Sequence, residues 1–151
     1  MASSPGGSLL VRGLSPMLFW RLASFSVVIA CGDDPAPAAS CVPASYDTSC
    51  TPAHAPTYEA IYAATFQRSC AKSGVSCHGA TGKQGGIDFD DKEQAYAALR
   101  ARSVIAGDPA CSDLVRRLVA TDGTVRMPPG RSLPAGEQCA VIRWIEAGAG
   151  R

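Results

Sequence analysis

Charge is scarce in this sequence of 151 residues: Asp, Glu, Lys and Arg make up 18%, lysine occurs three times, and the formal net charge is +1. A nucleic-acid surface needs a basic stripe and a charged disordered chain needs a large net charge, so both classes are excluded. Long apolar runs are missing too. The best one, Leu22 to Ala30, is about half of the ~20 residues that span a bilayer, which argues against a membrane-spanning helix. No alternating strand pattern, Ser-His-Asp signature or paired-carboxylate motif is present. Thr81 to Gly86 holds glycine and lysine but lacks the preceding strand and the spacing of a phosphate-binding loop. Glycine (15), proline (11) and cysteine (7) are abundant instead, which implies one modest core surrounded by loops.

The amino end reads as an export signal. Arg21 precedes a short apolar segment, and Val28-Ile29-Ala30-Cys31 resembles the bacterial lipobox, in which a small residue precedes a lipidated cysteine. Residues 1–30 are therefore expected to be a lipoprotein signal peptide and Cys31 a lipid anchor, facing the periplasm or the cell surface. Removal of residues 1–30 would leave 121 residues, take away only two charged ones, Arg12 and Arg21, and move the formal charge from +1 to −1. It would also leave a single methionine, Met127. Residues 31–56 are rich in Pro, Ala and Ser, lack apolar periodicity, and are expected to form a surface tether. In it, His54 reads as a solvated loop histidine.

Residues 57–151 are expected to form an all-α domain of about four helices with long loops. Thr57 can cap a first helix whose Tyr58, Ile61, Tyr62 and Phe66 share a face up to about Ser69. A second helix is expected to start at Asp90 or Asp91, with Asp90 and Glu93 as a capping box, and to run to about Arg102. Asp108 followed by Pro109 predicts the start of a third, with Leu114, Val115 and Leu118 inward. The fourth opens near Pro134, carries Val141, Ile142, Trp144 and Ile145, and stops at Gly148.

One constellation carries chemistry. Cys70 and then Cys77-His78-Gly79 follow the first helix, and Met127 lies in a Pro-rich loop before the last. Cys-His adjacency ends the attachment motif of c-type haem, in which two thiols bond the haem vinyls and the next histidine reaches the iron. A methionine thioether from a distant loop can close the other face, and His/Met ligation raises the reduction potential. Met127 stands on a polar loop where core packing calls for no methionine.

From Tyr58 to Ala149 the chain resembles a small class I c-type cytochrome, in particular the planctomycete-type cytochrome c domains of secreted proteins and lipoproteins from myxobacteria and planctomycetes. Ser76 to Gly79, Gly85-Gly86-Ile87-Asp88, Gly107-Asp108-Pro109, Arg126 to Gly130 and Val141 to Ala149 follow that pattern in order. The resemblance implies a cytochrome c-like helical fold, covalent haem c on Cys70 and Cys77, and His78 and Met127 as axial ligands. One departure stands out: the family places two residues between the cysteines, and here there are six, with Gly74 where the first cysteine belongs. Attachment through both thiols, attachment through Cys77 alone, and a haem-free Cys70–Cys77 disulfide are all open on this spacing.

Four further cysteines, Cys41, Cys50, Cys111 and Cys139, are disulfide candidates in an exported chain. Proximity favours Cys41 with Cys50 and Cys111 with Cys139. The function expected is one-electron transfer with periplasmic or membrane redox proteins by a monohaem lipoprotein, without enzymatic turnover or nucleic acid. The alternative is a haem-free, disulfide-stabilised surface lipoprotein on the same helical fold, serving as an interaction or scaffold module. A third reading, a haem enzyme or sensor, applies if Met127 is not bound to iron.

Overall fold

Thr57 starts the first helix as expected, its hydroxyl accepting from the Ala60 amide at 3.4 Å. This is seen in a computed structural model, which describes residues 41–71 and 77–151. Helix α1 (Tyr58–Ile61) runs on without a break into a wider winding, Tyr62–Cys70. There the bonds step back five residues, as in Ala71 N–H to the Phe66 carbonyl at 3.0 Å.

Helix α2 (Lys92–Arg102) begins one residue later than the proposed capping box requires. Asp91 is the cap and accepts from the amides of Glu93 and Gln94, each at 3.0 Å. Asp90 is engaged elsewhere, accepting from the Ala80 amide at 2.7 Å. Helix α3 (Asp113–Val119) corrects the expectation more strongly, because its cap residue is Ser112 and not Asp108. Asp108 caps a separate turn, accepting from the Cys111 amide at 3.0 Å. The buried Ser112 hydroxyl then ties that turn, donating to the Asp108 carbonyl and accepting from the Ile105 amide, both at 2.8 Å. Helix α4 (Ala135–Glu146) ends at a left-handed Gly148, φ +97°, as the sequence predicts.

These helices bury one core. Tyr58, Ile61 and Phe66 meet Leu99, Val115, Leu118 and the apolar face of α4, where Val141, Trp144 and Ile145 are almost fully enclosed. Tyr58 lies at the centre of an aromatic group, its ring 4.8 Å from Tyr96 and 5.7 Å from Trp144. Its hydroxyl donates to the Lys92 carbonyl at 2.7 Å, so the buried phenol is satisfied. The architecture is all-α, with no strand among the described residues. None of their helices is long and apolar enough to cross a membrane.

The tether expectation needs correction over residues 41–56. This segment is fastened to the helices by backbone bonds, Ala44 N–H to the Ala110 carbonyl at 2.8 Å and Ala53 N–H to the Gly136 carbonyl at 2.9 Å. It is also covalently held: the disulfides are Cys41–Cys111 and Cys50–Cys139, with Cα separations of 5.6 and 5.8 Å. The pairing by sequence proximity is thereby overturned, because the fold brings residues 70 and 89 positions apart into bonding reach. Each loop of that size is worth about 4–5 kcal/mol in the chain-entropy description, and the two overlap, so their effects are not additive. His54 is likewise not a free loop histidine. Its Nε2 lies 3.1 Å from Oγ1 of the buried Thr65.

Candidate functional site

The end of the first helix supplies one wall of a cavity of about 300 Å³, through Phe66, Ser69 and Cys70. Cys77 and His78, from the following loop, line the same cavity, and so does Met127 with Pro128 and Pro129. Ile87, Phe89, Leu114 and Leu118 make the rest mostly apolar. The four residues that the sequence singles out, Cys70, Cys77, His78 and Met127, are thus brought together.

Backbone bonds explain how the loop holds its residues there. The His78 amide donates to the Cys70 carbonyl at 3.4 Å, which ties the two residues together. Gln84 N–H reaches the Cys77 carbonyl at 3.1 Å and Phe89 N–H the His78 carbonyl at 2.6 Å, so the chain folds back over both residues. Gly82 permits that return: a Cβ at this position would lie 2.4 Å from the Cys77 carbonyl oxygen. The Phe89 ring stacks on Phe66 at 4.6 Å and meets His78 edge-on at 5.5 Å. In the Pro-rich loop, Met127 N–H donates to the Arg117 carbonyl at 3.0 Å, fastening that loop to α3.

The electrostatics favour neutral donors. Burial lowers the pKa of His78, and the charge of Arg117 adds to this while the backbone of Gln84 and Ile87 opposes it. The His78 Nδ1 atom is buried without a hydrogen-bond partner among the described residues, which is costly for an imidazole that has no further use. Burial, reinforced by Glu137 and Cys77, pushes the Cys70 thiol up to about 12 against the opposing charge of Arg131. Cys70 and Cys77 are not bonded to each other. Two free thiols, a thioether and an underbonded imidazole around an apolar cavity are the donor set that a covalently held haem uses. The residues present fit that group.

Residues 75–130 match the family model of Planctomycete cytochrome C. The match spans Cys77, His78 and Met127 and supports a cytochrome-type role. Cys70 and α4 lie outside it. No curated protein and no solved structure matches the chain. Within the matched segment, sequence reasoning missed the ion pair of Asp113 and Arg117, which also lines the cavity. Its four-residue spacing on a helix was the available signal. Cys31 lies outside the described residues, and Cys41, Cys50, Cys111 and Cys139 serve the disulfides.

Proposed function

We propose that this protein is an exported, lipid-anchored monohaem cytochrome that passes single electrons between periplasmic or membrane redox proteins and turns over no substrate. The observation that carries the reading is the shared cavity of Cys70, Cys77, His78 and Met127. When bound there, haem c supplies a one-electron ferrous/ferric couple. The chain's own residues do the rest. Cys70 and Cys77 hold the group through thioethers, and His78 and Met127 offer an imidazole and a thioether to its iron. Phe66, Phe89, Leu114 and Leu118 keep water from the cavity, and a soft thioether favours the ferrous state. If His78 and Met127 both held the iron, it would offer no coordination site to a substrate. Cys31 anchors the chain to the bacterial membrane as a lipidated first residue of the mature protein.

The test is expression of the full chain with its leader alongside a cytochrome c maturation system, followed by haem detection on a denaturing gel. Thioether-linked haem stays with the polypeptide there and axially held haem does not. Haem at the position of the polypeptide is expected. A second reading is favoured by the two disulfides, which stabilise the helices without any cofactor. In it the chain is a haem-free surface lipoprotein that serves as a scaffold. A haem-free band, with Cys70 and Cys77 joined in the peptide map, would decide for it.

A further inference from the structure

Among the described residues that line the cavity, Asp113 and Arg117 are the only charged ones. They sit one turn apart on α3, with Arg117 Nε donating to Asp113 Oδ2 at 2.7 Å. Arg116 also pairs with Asp113 from the exposed side of the helix. Both side chains are partly exposed, so their charges stand at the cavity without the full desolvation cost of a buried pair. Arg117 has a second connection to the site. Its carbonyl accepts the Met127 amide at 3.0 Å, so a charged residue that lines the cavity also fixes the loop that carries the thioether.

We infer that the Asp113–Arg117 pair sets the reduction potential of the site, Arg117 acting as a positioning residue that places a partly neutralised positive charge on the cavity wall and anchors Met127 by its backbone. The inference rests on the haem reading above. The physics is Coulombic. Reduction of the iron lowers its positive charge by one, so a nearby cation favours the reduced form and a nearby anion the oxidised form. For charges on the order of ~10 Å apart at an effective dielectric of about 20, the effect is roughly tenfold in the ratio of the two forms. Asp113 holds back part of this effect. Arg68, Lys83, Asp88, Arg102, Arg116, Arg126, Arg131 and Glu137 are charged groups on the same or neighbouring segments, and none of them lines the cavity.

The experiment is redox titration of the mature full-length holoprotein against mediators, comparing wild type with Asp113→Asn, Arg117→Gln and Arg117→Lys. All three substitutions leave the Arg117 carbonyl in place. Asp113→Asn is expected to raise the midpoint potential and Arg117→Gln to lower it, each by several-fold in the reduced-to-oxidised ratio at fixed poise. Arg117→Lys retains the charge and is expected to stay close to wild type. Thermal melts of each holoprotein separate a charge effect from damage to α3, because a merely structural role would lower stability without opposite shifts in potential. Haem present with unmoved or same-sign potentials would overturn the inference and leave the haem reading standing. Wild type without haem would overturn both.

Discussion

The amide of His78 donates to the carbonyl of Cys70 across a spacer three times the usual length for the motif it resembles. This contact brings the backbones of the two residues together although eight positions separate them in sequence. The long insertion therefore does not carry Cys70 away from the cavity that Cys77 and His78 line. What matters for a thioether site is where the thiols stand, and both Cys70 and Cys77 line the cavity.

The disulfides can be read directly. A non-reducing peptide map should yield Cys41 linked to Cys111 and Cys50 linked to Cys139, with no Cys41–Cys50 peptide. Replacing Cys50 and Cys139 together by Ser should lower stability by about 2–5 kcal/mol, measured by denaturant unfolding.

Cys70 should be slow to react in the haem-free protein. With its thiol pushed up to about 12, it remains protonated at about pH 8, and the thiolate is the form that alkylating agents attack. Timed iodoacetamide labelling with mass analysis should show far slower modification of Cys70 in the folded chain than in urea. The sign for stability follows from the same shift. The folded-state pKa is raised, so stability is fully present below the thiol's ordinary 9.0 and declines as the pH rises toward 12. Thermal melts of the haem-free protein between about pH 8 and pH 11 should show that decline.

Met127→Ala separates carrier from catalyst. Covalent attachment depends on Cys70 and Cys77, so the variant should keep its haem and lose a ligand. Its midpoint potential should fall, since a thioether stabilises ferrous iron better than water does. Carbon monoxide should bind the variant readily and the wild type slowly, followed by absorbance after flash mixing. Equal rates in the two proteins would instead favour the enzyme or sensor reading.

Gly82→Ala tests the folded-back loop. The new methyl would meet the Cys77 carbonyl oxygen at 2.4 Å, and that neighbour is backbone, which cannot swing aside. A loss of about 1–3 kcal/mol in unfolding free energy is expected, with a reduced yield of haem-loaded protein.

The helices were legible in the sequence because their apolar spacing and caps are local properties. Tyr58, Ile61 and Phe66 recur at helical intervals behind Thr57, and Gly148 takes the left-handed conformation that ends α4. The site residues were legible for a similar reason: Cys77-His78 is a contiguous motif, and Met127 stood out by its isolation on a polar loop. The beginning of α3 was not, since Asp108 and Ser112 are both competent caps. Only the buried bonds of Ser112 to Ile105 and Asp108 decide between them. Residues 41–56 misled by composition, because a Pro- and Ala-rich segment without periodicity looks the same whether it is free or strapped to a domain. Disulfide pairing lay beyond sequence altogether, as four cysteines allow three pairings and the choice depends on which Cα atoms the packed helices bring within about 6 Å. The sequence by itself therefore determined the helical class and the chemistry of the donor set. Tertiary packing decided the covalent connectivity and the charged pair on the cavity wall, because both depend on contacts between segments distant along the chain.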